Sequence, residues 1–192
     1  MYKRQNNNSQ IENDYLLTGC SSILKSIECG IALSKILNET ENIEKWKKAH
    51  LLLSNAIQDP DGKFDLIKDR KRFSMDWYYP ILSGCLKQDE KSHYINKIFK
   101  DFYLDGISIK CVIEEPWVTV AETSEFILAL MCAGYDDEAK RLLFDVINIS
   151  DEEGIPFMGW QYEQNIFWPE EKPSWTCLLY TSDAADEDRG GG

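Results

Sequence analysis

Apolar residues recur every three or four positions through most of the chain, the spacing of amphipathic helices. Leu16, Cys20, Ile23, Leu24, Ile27, Ile31 and Leu33 predict a first helix over 14–37. Asn13 or Asp14 can cap it, and Asn38 can end it. Trp46, Ala49, Leu53 and Ile57 predict a second over 43–57, followed by a polar, basic loop from Gln58 to Arg72. A third helix opens near Ser74–Pro80 and runs to Leu86, with Pro80 marking its start, because proline is best tolerated in a first turn. Tyr94, Ile95, Ile98, Phe99 and Phe102 predict a fourth helix over 90–102. Residues 107–113 alternate weakly and read as extended.

The fifth helix begins at Thr119, where Thr119-Val-Ala-Glu122 has the form of a capping box, and it ends at Gly134. Ala139, Leu142, Leu143 and Val146 predict a sixth over 136–149. After a loop rich in Gly, Trp and Tyr, a seventh starts at Pro173-Ser174. Inner-helix starts near Thr18, Asp76, Glu122 and Trp175 are 58, 46 and 53 residues apart, one helical hairpin each. The units share no sequence repeat, so the fold class expected is all-α: an incomplete α/α toroid of helical hairpins, with short extended segments in the loops.

Composition narrows the reading. Of 192 residues, 43% are hydrophobic, enough for a core. The formal net charge of −12 argues against nucleic acid or an anionic membrane as the main partner. No run of 18 apolar residues is present, so no integral membrane segment is expected. The two ends carry a different signal. Met1–Gln5 (MYKRQ) back-translates to the reverse complement of DNA encoding the start of Cys177–Glu187 (CLLYTSDAADE), and both match an inverted transposon end used as a sequencing adapter. Residues 1–5 and 177–192 are therefore expected to be adapter-derived, and 6–176 to be a partial toroid domain. Without the ends, 18 basic and 29 acidic residues remain, a net of −11. The remaining cysteines, Cys20, Cys29, Cys85, Cys111 and Cys132, form no CxxC pair and read as reduced thiols, which points to a cytoplasmic location. A toroid lacking some of its hairpins would expose apolar helix faces, so low solubility is expected.

Candidate chemistry clusters at the helix starts. Arg72-Phe-Ser-Met-Asp76-Trp77-Tyr78-Tyr79-Pro80 is one cluster, and Glu114 to Glu125, with Trp117, Glu122 and Glu125, is the second. The third runs from Gly159-Trp160-Gln-Tyr162 to Trp168, Glu171 and Trp175. Flat rings stack on sugar faces, and paired carboxylates perform glycosidic acid–base work. The candidate catalytic residues are Asp76, Glu122, Glu125 and Glu171. The candidate substrate-binding residues are Arg72, Trp77, Tyr78, Trp117, Trp160, Tyr162, Trp168 and Trp175. Each has a plainer role open to it. Asp76 can cap its helix, Glu122 can serve the capping box, Glu171 can be a solvated charge, and the rings can be core. Arg72 is expected to pair with one of the candidate acids and lower its pKa. His50 and His93 read as surface or core residues, and Lys45, Lys47 and Lys48 as a solvated face.

The strings RFSMDWYYP, CVIEEPWVTVAETSE and GWQYEQNIFWPEEKPSWT resemble a bacterial family of α/α-toroid proteins, often labelled prenyltransferase-like. That family is close in fold to six-hairpin glycosidases and terpenoid cyclases. The resemblance spans Leu16 to Thr176 and implies an (α/α)6 barrel, of which this chain holds the last three or four hairpins. Three functions follow as expectations. The favoured one is a carbohydrate-processing, glycosidase-like enzyme acting on an oligosaccharide or other small substrate. An isoprenoid enzyme would use the rings for cation–π stabilisation. Against it, no DxDD string is present and neither histidine has a metal-ligand spacing, so no metal or cofactor is expected. A non-catalytic glycan-binding or scaffold toroid needs only the rings.

Overall fold

The computed structural model describes residues 3–5, 11–167, 172–174 and 176. In chain order the elements are β1 (Lys3–Gln5), β2 (Ile11–Tyr15), α1 (Leu17–Leu37), α2 (Ile43–Gln58), α3 (Met75–Leu82) and α4 (Gln88–Asp101). Then follow β3 (Tyr103–Leu104), β4 (Ser108–Ile109), β5 (Trp117–Thr119), α5 (Val120–Ala133), α6 (Asp136–Val146), β6 (Gly159–Gln161) and β7 (Ile166–Phe167). The protein is mostly α, as the periodicity implies. Among the described residues it also carries three small antiparallel sheets, β1–β2, β3–β4 and β5–β6–β7, where only short extended segments in the loops are expected.

The helices form two layers. α1, α3 and α5 lie side by side in that order, and α2, α4 and α6 each pack on the helix before them. α5 sits deepest, with Val120, Ala121, Phe126, Ile127, Ala129, Leu130 and Ala133 buried. α6 turns Ala139, Leu142, Leu143 and Val146 inward, as its spacing predicts. α4 buries Ile95 and Ile98 and, just past its end, Phe102; Tyr94 and Phe99 are only half-buried. The apolar stripe of α1 is the exception. Cys20 and Leu24 are buried, but Leu33, Ile36 and Leu37 face solvent, as do Leu51 and Leu52 of α2.

Several boundaries differ from the sequence reading for tertiary reasons. Asp14 lies in β2, and the cap position of α1 falls to Leu16. Its carboxylate accepts the backbone N–H groups of Leu66 (2.9 Å) and Ile67 (3.3 Å), in the loop after α2. That loop returns the contact: Asp65 Oδ2 accepts the N–H of Leu17, the first residue of α1, at 3.2 Å. The α1 cap thus comes from 48 residues downstream. Asn38 ends α1 in the left-handed conformation and Gly134 ends α5 in the same way, as expected. Pro80 does not start α3; it is the sixth of its eight residues. Proline's missing N–H costs one backbone bond there, and so short a helix has few to lose. α3 ends at Leu82 and not at Leu86, because Gly84 turns the chain with φ of 80°. The 107–113 stretch forms β4 and then isolated bridges, Lys110 to Val118 and Phe73 to Val112. Cys29, Cys85, Cys111 and Cys132 are free thiols.

Candidate active site

Asp76 occupies the first turn of α3, yet it caps nothing: among the described residues no hydrogen-bond donor reaches either carboxylate oxygen. The side chain is 6% exposed. It lines a cavity of about 490 Å³ together with Trp77 of α3 and Asp65, Asp69 and Arg70 of the preceding loop. His93 and Tyr94 of α4 close another side; His93 is exposed, as its sequence position suggests, and lies at the rim of this cavity. The Arg70 guanidinium forms an ion pair with it, with Nε 3.6 Å from Asp76 Oδ2. Burial, only partly offset by Arg70 and reinforced by Asp65 and Asp69, pushes the Asp76 carboxyl up to about 7.

The aromatic wall beside it is fixed. Trp77 donates its indole N–H to the Lys71 carbonyl at 2.9 Å, and its ring lies 5.6 Å from that of Tyr94. The Arg70 guanidinium lies 4.6 Å from the centre of the Phe73 ring. Phe73 N–H in turn donates to the Arg70 carbonyl at 2.8 Å, closing a turn that starts α3.

Glu122 and Glu125 form a separate group with the next residues of α3. Tyr78 and Tyr79 donate to the two oxygens of Glu125 at 2.6 and 2.9 Å. Burial raises the Glu125 carboxyl above its ordinary value, the two tyrosines pull it back, and Glu122 adds a push upward. Glu122 accepts the Cys111 thiol at 3.2 Å and the Thr119 hydroxyl. Burial, with Glu122 beside it, pushes the Cys111 thiol up to about 12, so it is not a thiolate nucleophile. The expected capping box is not formed. Thr119 does precede α5, but its hydroxyl bonds the Glu122 side chain instead of a backbone amide. Thr123, through the Thr119 carbonyl (2.6 Å) and the Ile109 N–H (3.2 Å), ties the helix start to β4.

The third cluster builds the β5–β6–β7 sheet. Trp117 pairs with Gln161 and Trp160 with Val118 and Phe167. Trp160 donates its indole N–H to Asn165 at 3.1 Å, and its ring faces Phe167 at 6.3 Å and Tyr162 at 6.4 Å. Gly159 is required here: a Cβ would stand 2.5 Å from the Val118 carbonyl oxygen. Arg72 pairs with Glu114 and, among the described residues, with none of Asp76, Glu122 and Glu125, because the bridge between Phe73 and Val112 brings the 112–115 turn against it. The cation near a candidate acid is Arg70, two residues earlier. Trp168, Glu171 and Trp175 lie outside the described residues.

The structure thus brings Asp76 and Trp77 into one cavity, Tyr78, Glu122 and Glu125 into a second group, and Trp117 and Trp160 onto one sheet, with Tyr162 in the turn that follows β6. The sequence reading missed Asp65, Asp69, Arg70, His93 and Tyr94 as cavity residues. The signal was weak but present: a loop rich in aspartate directly before the Arg72–Pro80 string. Among the described residues no group of three or more His, Cys, Asp or Glu is arranged to hold a metal ion, and no helix is long and apolar enough to cross a membrane.

No family model matches the chain. It is 36% identical over 178 residues to a curated protein of Mycolicibacterium hassiacum named MMP endo-(1,4)-3-O-methyl-alpha-D-mannosidase. The match covers 92% of this chain and 48% of the relative, so the chain spans about half the length of the protein it matches.

Proposed function

We propose that the chain is part of a carbohydrate-processing hydrolase that cleaves α-mannosidic bonds in a neutral, partly methylated saccharide. The layered hairpins then form an arc of an α/α toroid. The observation that carries this reading is the Asp76 cavity: a buried carboxyl held near neutrality beside fixed aromatic rings and further acids. The likeness to a named mannosidase favours a sugar over an isoprenoid as the occupant.

A carboxyl near 7 is suited to general acid work, because it is substantially protonated at neutral pH and gives up its proton readily. In the proposed reaction Asp76 protonates the glycosidic oxygen as the C1–O bond breaks, and water supplies the hydroxyl at C1. A second carboxylate in the same wall accepts the proton of that water. Asp69 suits this role better than Asp65, whose Oδ2 already holds the start of α1. Trp77 and Tyr94 offer ring faces to the sugar. Glu122, Glu125 and Glu171, with Arg72, Tyr78, Trp117, Trp160, Tyr162, Trp168 and Trp175, remain candidates for contacts further along the saccharide.

The test is release of reducing ends from α-1,4-linked manno-oligosaccharides, with and without 3-O-methyl groups. Asp76→Asn is expected to lower turnover by about 100-fold or more, the usual worth of a positioned general acid. Turnover retained in Asp76→Asn overturns the assignment of the acid. No turnover or binding of either saccharide overturns the carbohydrate reading.

A further inference from the structure

The Asp76 cavity presents two kinds of surface to a ligand. Carboxyl groups line it at Asp61 and Asp69, both exposed, and at the half-buried Asp65. The start of α1 and the turn after α2 contribute Leu17, Pro60 and Phe64, whose side chains carry no polar atom. Leu17 and Pro60 are half-buried and keep surface open to a ligand, while Phe64, 8% exposed, backs them. Pockets of this kind, largely apolar with a few placed polar groups, fix a ligand's orientation through the contrast between their walls.

The backbone of the apolar part is already engaged. Leu17 N–H donates to Asp65 at 3.2 Å, Pro60 has no N–H, and the Pro60 carbonyl accepts the Lys63 N–H at 3.1 Å. Asp65 N–H donates to the Tyr15 carbonyl at 2.8 Å, which holds the loop against the start of α1. A sugar hydroxyl placed on these side chains would lose water without gaining a partner. A methyl ether suits them, because its CH3 leaves water favourably and its oxygen has no proton to donate. The carboxylates select in the opposite sense: they only accept hydrogen bonds, so they hold free hydroxyls and offer an ether oxygen nothing.

We propose that Leu17, Pro60 and Phe64 form a methyl-ether subsite, which makes the cavity prefer an O-methylated sugar to its hydroxyl parent. Leu17 and Pro60 are then specificity-determining residues, and Asp61 takes a free hydroxyl of the same saccharide. The methylation pattern thereby sets which way round the sugar lies. The inference rests on reading this cavity as the carbohydrate site, and it assigns the methyl selectivity to side chains that the acid–base chemistry does not use.

The test is calorimetric binding of thio-linked α-1,4-mannotetraose, which resists cleavage, and of its 3-O-methylated counterpart. Wild type is expected to bind the methylated saccharide about fourfold or more tightly, the worth of one buried methyl group. Leu17→Ser, which keeps the N–H that Asp65 holds, and Pro60→Ser should each lower this ratio, and the double variant should bring it to about one. Leu33→Ser, on the exposed end of α1, should leave the ratio as in wild type. Equal affinities in wild type, a ratio that survives in the double variant, or equal losses for both saccharides overturn the subsite. Should the variants fail to fold, proton NMR of the wild-type complex decides: the O-methyl protons must show Overhauser contacts to the Leu17 methyl groups, and their absence overturns the inference. Turnover of manno-oligosaccharides without a methyl preference overturns the subsite and leaves the carbohydrate reading standing. Methyl-dependent binding without turnover does the reverse for the hydrolytic reading, and no binding of either saccharide overturns both.

Discussion

Tyr78 donates its phenolic proton to Glu125 at 2.6 Å, and this bond joins the middle of α3 to the second turn of α5. Tyr78 has no exposed surface, so its hydroxyl has no water to fall back on. The bond links packing to acidity, because the same tyrosine that fills the core also holds the Glu125 carboxyl down against burial.

Tyr78→Phe should therefore destabilise the protein by about 1–3 kcal/mol, the cost of leaving a buried acceptor without its hydrogen-bond partner. It should also raise the Glu125 pKa further. Urea titration at neutral pH and carboxyl NMR of Glu125 check the two halves separately. An unchanged midpoint would remove Tyr78 from the list of stabilising contacts.

Asp76 makes stability fall as pH rises. Burial pushes its carboxyl from the ordinary 3.8 up to about 7 in the folded protein, so the native state holds the extra proton between these values. The contribution is fully present below about 4 and is lost as pH rises through about 7; three units correspond to about 4 kcal/mol at most. Asp76→Asn should flatten this slope and stabilise the protein at pH 7. Denaturant midpoints measured from pH 4 to 8 test it, and parallel wild-type and variant curves would refute it.

The same value gives a kinetic expectation. If Asp76 is the acid, turnover of manno-oligosaccharides declines as pH rises through about 7. A descending limb centred well above or below that value would assign the proton to another group.

Gly159→Ala forces a methyl group to within 2.5 Å of the Val118 carbonyl oxygen, a backbone atom that cannot swing away. The β5–β6 pairing must open, at a cost of about 1–3 kcal/mol, the usual range for overpacking. Thermal melting measures the loss, and the Trp160 fluorescence should redden with it.

Asp14→Ala removes the acceptor for the Leu66 and Ile67 amides. Two amide donors of exposed residues lose their common acceptor, which costs about 0.5–1.5 kcal/mol. Amide exchange in residues 65–70 should quicken while that of α5 stays slow. Slow exchange throughout the loop would show that other contacts hold it.

The helices were legible because their apolar spacing is local. The Ala139–Val146 stripe of α6 and the glycine that ends α5 are read within a few residues. The caps were not. Asp14 looks like the cap of α1 by position but bonds a loop 52 residues away, and the real cap, Asp65, hides in a polar stretch. Pro80 misled for a related reason: its first-turn preference is weaker than the packing that starts α3 five residues earlier. Asp76 and Trp77 stood out by cluster density. Their cavity partners Asp69 and Arg70 did not, because charged loop residues acquire a role only when the chain folds back on α4. Arg72 was the more conspicuous arginine, yet its partner is Glu114.

The long-range cap of α1 carries a consequence for the order of events during synthesis. A nascent chain that has emerged only as far as Leu37 lacks the carboxylate that finishes its first helical turn. Asp65 reaches Leu17 only after α2 and its following loop have left the ribosome, and Asp14 then holds that loop from the other side. The first hairpin is thus completed retroactively by the segment that also supplies the acidic wall of the cavity, so the site and the α1 start should become ordered in the same step.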